Sequence, residues 1–261
     1  MLLAIDVGNT NVTIGVFDGD RLAHHWRLAA LRERTADELG IFVTRLLEQA
    51  RIDTAAMTGI VLASVVPPIT RPMEEMCERY FGRKALLVDA SNAGIPVLYT
   101  PAADVGADRI VNAVAAWDKY GKGSGTPLIV VDFGTGTTFD IISAKGEYLG
   151  GVICPGIGIS AEALFQRAAR LPRVEVRKPP SVIGSNTVNA IQSGLFFGYV
   201  EMVDGLIRRI RAELPAGERA IVIGTGGLAA VIAEESRGLE RIEPDLTLDG
   251  LRLIWQKNRT S

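Results

Sequence analysis

Two segments of this chain carry nearly the same short phrase, and that repetition constrains the fold more than any other feature of the sequence. Asp6-Val7-Gly8-Asn9-Thr10-Asn11 ends the apolar run Leu2–Asp6, and Asp132-Phe133-Gly134-Thr135-Gly136-Thr137-Thr138 ends the apolar run Leu128–Asp132. Each run has the length of a buried strand and passes through a Gly-rich turn into a second apolar run, so each reads as strand, tight turn, strand. With Asp6 laid on Asp132 and Gly8 on Gly134, both halves continue in one order: strand, glycine turn, strand, turn, strand, helix, strand. So long a period is no solenoid; it indicates duplication of one α/β unit.

The rest of the pattern fills in that unit. Arg21–Leu28 is a third strand. Thr35–Arg51 carries Leu39, Phe42, Val43, Leu46 and Leu47 at helical spacing, with Thr35 and Glu38 placed as a capping box. Gly59–Val66 is a buried strand stopped by Pro67-Pro68, followed by a helix around Arg71–Tyr80 and a strand at Ala85–Val88. In the second half, strands are expected at Thr138–Ile142, Glu147–Ile153 and Ala220–Ile223, and helices at Ser160–Ala169 and about Asn186–Glu213. Gly121-Lys122-Gly123-Ser124-Gly125-Thr126-Pro127 is the flexible stretch between the halves, which gives units of residues 1–121 and 122–261.

Composition narrows the class of function. Lys+Arg 28 against Asp+Glu 30 gives a net charge of −2, which argues against bulk attraction to nucleic acid or anionic membrane. Cys77 and Cys154 stand far apart in no metal-binding spacing, as expected of reduced thiols. The N-terminal segment has Asp6 and no basic leader, and no run approaches the roughly 18 apolar residues of a membrane span, so the cytoplasm is expected. Glycine is in excess, 28 of 261 residues, without a three-residue period.

The twin turns suit a nucleotide's phosphates. Glycine lets backbone approach closely, successive N–H groups form an anion nest, Thr and Asn add donors, and the Asp offers a hard oxygen ligand to Mg²⁺. A plain tight hairpin is the alternative for either copy alone; two copies in register argue against it. No G-x-G-x-x-G opens a helix after Leu2–Asp6 and no G-x-x-x-x-G-K-[ST] occurs, which weakens dinucleotide and P-loop readings. A third constellation, Gly106-Ala107-Asp108-Arg109, begins a helix expected over Asp108–Tyr120 and is preceded by Tyr99 and Pro101. At a helix start the free N–H groups favour an anionic ligand, an Asp can accept a hydroxyl proton, and an Arg can hold a carboxylate.

These motifs, with Gly150-Gly151-Val152-Ile153-Cys154-Pro155-Gly156 and Asn186-Thr187, resemble the type III pantothenate kinases, members of the actin/hexokinase/Hsp70-like superfamily. The resemblance runs over essentially the whole chain. It implies duplicated ribonuclease H-like (actin-like ATPase) units, with mixed sheets flanked by helices and a cleft between the halves. It implies transfer of the γ-phosphate of ATP to the primary hydroxyl of pantothenate, the first step of coenzyme A biosynthesis. By the same resemblance, Asp6, Val7, Gly8, Asn9, Thr10, Asn11, Val12 and Thr13 cradle ATP phosphates, Asp6 organises Mg²⁺, Thr135 adds a phosphate contact, and Gly226 and Gly227 face the adenosine. Asp108 is the implied general base, and Tyr99, Gly106, Ala107 and Arg109 line the pantothenate pocket. Thr187 is implied to reach pantothenate from the neighbouring subunit of a homodimer, and Asp132 to hold a monovalent cation, K⁺ or NH₄⁺. Gly136 and Ser185 depart from the family pattern, which favours alanine and arginine there. Two rival readings are a different small-molecule kinase or phosphohydrolase on this fold and a non-enzymatic ATP-binding regulator; an intact Asp108 favours the enzyme.

Other features carry bland expectations. His24-His25 reads as strand surface without a carboxylate partner, and Trp26, Trp117 and Trp255 as core or interface anchors. Arg167–Lys178 reads as a solvated basic connector, and Val200–Arg211 as a core or dimer face.

Overall fold

Strands β1 (Leu2–Val7), β2 (Asn11–Asp18) and β3 (Arg21–Ala29) make an antiparallel meander, and β4 (Gly59–Ser64) then joins β1 in parallel, followed by the short parallel β5 (Leu86–Leu87). The computed structural model describes residues 1–215 and 219–259. The second sheet repeats this plan. Its strands β6 (Leu128–Phe133), β7 (Gly136–Ile142) and β8 (Tyr148–Pro155) are antiparallel, with β9 (Ile221–Thr225) parallel to β6 and β10 (Arg241–Ile242) parallel to β9. The strand orders, β3-β2-β1-β4-β5 and β8-β7-β6-β9-β10, are the same topology. Asp6 faces Thr13 across β1–β2, and Asp132 faces Thr138 across β6–β7. The duplication expected from the twin motifs is therefore structural.

Helix α1 (Ala36–Gln49) starts at the expected capping box: Glu38 N–H donates to Thr35 Oγ1 at 3.3 Å, and Thr35 N–H donates to the Glu38 carboxylate at 2.8 Å. It buries Leu39, Val43 and Leu47, four apart, with Ile5, Ile14 and Val16 of the sheet. Helix α2 (Pro67–Phe81) is longer than its apolar spacing suggests, because Pro67 and Pro68 occupy its first turn and stop the strand by starting the helix. Gly82, left-handed at φ 61°, ends it. The chain then reaches α3 (Ala107–Ala116), which continues as a π-helical turn over Trp117–Gly121. In the second unit α4 (Ile157–Arg167) and α5 (Thr187–Glu213) pack together, and α5 sets Phe196, Val200, Val203 and Ile207 against Ile129, Val131 and Phe139. The Val200–Arg211 stretch thus faces core. Helix α6 (Ala229–Ala233) precedes β10, and α7 (Leu246–Arg259) closes the chain.

Two compact units result: Met1–Ala115 with Asp245–Ser261, and Ala116–Pro244. This division differs from residues 1–121 and 122–261. The first crossing lies inside a continuous helix, where no change of composition marks it, and Gly121–Pro127 is the exit turn beyond it. The last helix returns to the first unit because its apolar face belongs there: Trp255 covers Gly59 so closely that a Cβ at Gly59 would lie 2.0 Å from the ring, and Leu248 lies over Gly15.

His25 does have a carboxylate partner, with Nδ1 3.4 Å from Asp245 Oδ1, and His24 stacks on Trp26 at 5.7 Å. The basic connector is partly paired, Arg173 with Glu162 and Lys178 with Glu235. Both cysteines are free, and burial pushes the Cys77 thiol up to about 12. Among the described residues no helix is long and apolar enough to cross a membrane.

Candidate active site

In the first unit, the β1–β2 turn and the start of α3 lie at one end of the sheet. Gly8 N–H donates to Asn11 O at 2.9 Å, which closes the turn and leaves Asn9 and Thr10 exposed, with Asp6, Asn11 and Thr13 half-buried and Val12 in the core. At the same strand ends Val65 N–H donates to Val7 O at 3.1 Å. A Cβ on Gly106 would lie 3.3 Å from Val65 Cγ1, so Val65 joins the phosphate-type turn to the Gly106-Ala107-Asp108-Arg109 segment. Nothing about Val65 in the sequence marks this role; an apolar residue beyond a buried strand is too common a signal.

Asp108 occupies the first turn of α3. Its Oδ1 accepts the Arg109 N–H at 2.8 Å, and the carboxylate folds back over Gly106, where a Cβ would approach that oxygen to 2.6 Å. Burial pushes the Asp108 carboxyl above the ordinary carboxylate range, against the opposing pull of the Arg109 N–H and the Arg109 charge. A carboxylate whose ionised form is destabilised is a stronger base than an exposed one, as proton abstraction requires. Arg109 is buried at 8% exposure, Ala107 is buried, and Tyr99 is 37% exposed.

The second unit gathers another group. Asp132 pairs in register with Thr225, and Gly134 N–H donates to Gly136 O at 3.1 Å, the counterpart of the Gly8 bond. Gly226, at φ 89°, sits so close that a Cβ would come within 2.5 Å of Asp132 Oδ1 and 2.8 Å of the Phe133 backbone. Gly156 is pressed equally tightly on the carbonyls of Thr135 and Gly134, at 2.2 and 2.7 Å from a notional Cβ. These two glycines are therefore required by the protein's own backbone, while Gly227 is exposed. Tyr199 secures the same region from α5, its hydroxyl donating to Pro155 O at 2.7 Å beside Thr137.

Thr187 belongs to a different feature. It is the first residue of α5, capped by Asn186, whose Oδ1 accepts the Asn189 N–H at 2.9 Å. It lines a groove of about 610 Å³ with Leu164, Leu171, Ser185 and Leu195. Around it Phe165, Val182, Ile183 and Val188 are exposed.

Among the described residues no group of three His, Cys, Asp or Glu side chains could hold a metal ion. Each glycine turn carries one carboxylate, Asp6 in the first unit and Asp132 in the second. A single carboxylate such as Asp6 suits Mg²⁺, which keeps several waters and binds through one or two carboxylates plus substrate phosphates.

Comparison with known proteins decides the family. The sequence profile of the type III pantothenate kinases matches residues 2–209. A type III pantothenate kinase from Anaeromyxobacter sp. (strain K) is 54% identical over 260 residues, covering 99% of this chain and 100% of that one. The chain belongs to the type III pantothenate kinase family.

The fold of this family member is shared more widely. A Baf family transcriptional activator from Campylobacter jejuni is 19% identical, with a TM-score of 0.61 over 99% of this chain and 100% of that chain. A 2-dehydro-3-deoxygalactonokinase from Sinorhizobium meliloti is 13% identical, with a TM-score of 0.58 over 98% of each. Likeness at this level speaks for the fold: the duplicated actin-like arrangement of sugar kinases, as the twin sheets indicate.

Proposed function

We propose that this kinase transfers the γ-phosphate of ATP to the primary hydroxyl of pantothenate, yielding 4'-phosphopantothenate and ADP, with Asp108 as general base. Family membership over 99% of the chain supports the substrate. The observation that carries the chemistry is the placement of Asp108 and the β1–β2 turn at one end of the first sheet, joined through Val65.

In this reading the Asp6–Thr13 turn receives the phosphates and Thr135 adds a donor. Gly226 and Gly227 turn toward adenosine, and Tyr99, Gly106, Ala107 and Arg109 line the pantothenate pocket. The pantothenate oxygen forms a bond to the γ-phosphorus as the bond to the β–γ bridging oxygen breaks, and the hydroxyl proton passes to the Asp108 carboxylate. Catalysis of this kind is mainly positioning and charge stabilisation, with the base orienting the nucleophile. Asp6 would hold Mg²⁺, which would neutralise phosphate charge when bound. Asp132 is the proposed ligand of an activating monovalent cation. A second copy of the chain, covering the apolar groove at α5, brings Thr187 to the partner's pantothenate, so the active form is a homodimer working in the cytoplasm. The exposed Phe165, Ile183 and Val188 support that surface.

The test is Asp108→Asn, which is expected to keep ATP affinity while losing at least about 10²-fold in kcat, the scale of a general base. Turnover close to that of the unmodified enzyme removes Asp108 from the role.

A further inference from the structure

Val65 and the Asp108 carboxylate meet beside Gly106. A Cβ on Gly106 would lie 3.3 Å from Val65 Cγ1 and 2.6 Å from Asp108 Oδ1, so the methyl and the oxygen are no farther apart than those two distances together. All three residues belong to the first compact unit, as does the β1–β2 turn.

The backbone around Val65 is fixed. Its own N–H donates to Val7 O at 3.1 Å. The next residue, Val66, donates its N–H to Ser64 Oγ at 3.3 Å. The Val66 carbonyl accepts the Thr70 hydroxyl at 3.1 Å and the Ile69 N–H at 2.9 Å, and the Ser64 and Thr70 hydroxyls share a hydrogen bond of 2.7 Å. Val65 is thereby tied to the end of β1 on one side and to the first turn of α2 on the other, and its β-branched side chain is stiff about χ1. Half-buried, it rests against the core of the first unit and keeps part of its surface open. The result is a rigid hydrocarbon wall beside a buried carboxylate.

An acceptor hydroxyl that gives its proton to Asp108 has to come within hydrogen-bond reach of that carboxylate, about 2.6–3.2 Å. The carbons that bear and flank the hydroxyl are then within reach of the Val65 methyl groups. In pantothenate the hydroxymethyl carbon is attached to a quaternary carbon carrying two methyl groups. In a sugar the corresponding neighbour carries oxygen, which needs a hydrogen-bond partner once it leaves water. The Val65 side chain offers none, so it suits the first kind of acceptor and disfavours the second.

We propose that Val65 is a specificity-determining residue of the acceptor site: its side chain packs on the geminal methyl groups next to the reacting hydroxyl and selects acceptors that are hydrocarbon there. The proposal rests on the pantothenate kinase reading with Asp108 as base, and it uses contacts of the first unit alone. A methylene-sized difference in an apolar pocket changes kcat/KM by about 10- to 200-fold, which sets the scale of the selection.

The experiment compares full-length wild type, Val65→Ala and Val65→Thr on two acceptors, pantothenate and the analogue with hydrogen in place of its two geminal methyls. For each protein, kcat/KM is measured on both acceptors at saturating ATP, together with calorimetric titration with ATP and thermal unfolding. Wild type is expected to prefer pantothenate by about 10- to 100-fold. Val65→Ala withdraws the wall, and is expected to lose about 10-fold on pantothenate but less than about threefold on the analogue, so the preference shrinks. Val65→Thr keeps the shape but sets a hydroxyl against the methyls; it is expected to shrink the preference too, with ATP Kd unchanged. Equal losses on both acceptors in the folded variants overturn the proposal, because a residue that only supports the fold does not distinguish them. A wild type that uses both acceptors equally well overturns it as well. Should Val65→Ala fail to fold, the same ratio in Val65→Thr decides. A wild type that phosphorylates neither acceptor overturns the proposed function and this proposal together, an outcome distinct from an active wild type whose preference the variants leave unchanged.

Discussion

Replacing Gly106 with alanine tests whether the position of the Asp108 carboxylate matters, because it adds one methyl group at that carboxylate and nowhere else of consequence. The Cβ would lie 2.6 Å from Asp108 Oδ1, and relief to an ordinary contact of 3.4 Å requires a shift of about 0.8 Å. The carboxylate is the part that yields, being the end of a side chain, whereas Val65 Cγ1 at 3.3 Å needs only a slight adjustment. Gly106 is not among the glycines with positive φ, so alanine suits its backbone, and the close contact is expected to cost about 1–3 kcal/mol at most. Displacement of a reacting group by roughly 1 Å costs about 10²-fold in rate, so kcat is expected to fall about 50-fold. Initial rates at saturating ATP and pantothenate, alongside a thermal melt, separate the two effects. A kcat within about twofold of wild type in the folded variant would refute the claim that this carboxylate must sit where it does.

Three further outcomes follow from the same structure. Asp108→Asn should raise the melting temperature at neutral pH: burial raises this carboxyl in the folded protein, so the folded state holds the proton more tightly, and stability falls as pH climbs from the unfolded value of about 3.9 through the raised folded one. The stabilisation should therefore vanish near pH 4, and the acid limb of kcat/KM in the unmodified enzyme should lie above the ordinary Asp range. Gly59→Ala should cost about 1–3 kcal/mol in denaturant unfolding because the new methyl meets Trp255, and pairing it with Trp255→Leu should recover part of that. Exchanging K⁺ for Na⁺ should lower kcat in the wild type but not in Asp132→Asn; equal sensitivity in both would detach the cation from Asp132.

What the sequence makes legible is what local chemistry dictates. The buried strands β1, β4, β6 and β9 announce themselves by apolar runs, three of them passing into glycine turns, and α1 by Thr35 and Glu38 at capping-box spacing. The twin Asp–Gly turns predict two sheets of one topology, and two such sheets are present. Pro67 and Pro68 mislead because proline stops a strand and opens a helix equally well. The crossing at Ala115–Ala116 has no signature, since a helix passing between units needs the same residues as one staying within a unit. At the site, Asp108 and the phosphate-type turn are visible as motifs. The glycine excess is only partly a ligand signal: Gly156 and Gly226 are held by Thr135, Gly134, Asp132 and Phe133 of the chain itself. Val65 beside Gly106 could not be read ahead, because residues this distant in sequence are brought together by the fold alone.

The central claim, a kinase acting on pantothenate, is tested most directly by ADP release from purified protein with ATP, Mg²⁺ and K⁺, with and without pantothenate, and with the phosphorylated product identified by mass. A pantothenate kinase releases ADP only in the presence of pantothenate, mole for mole with 4'-phosphopantothenate. ADP release that pantothenate leaves unchanged would contradict that claim.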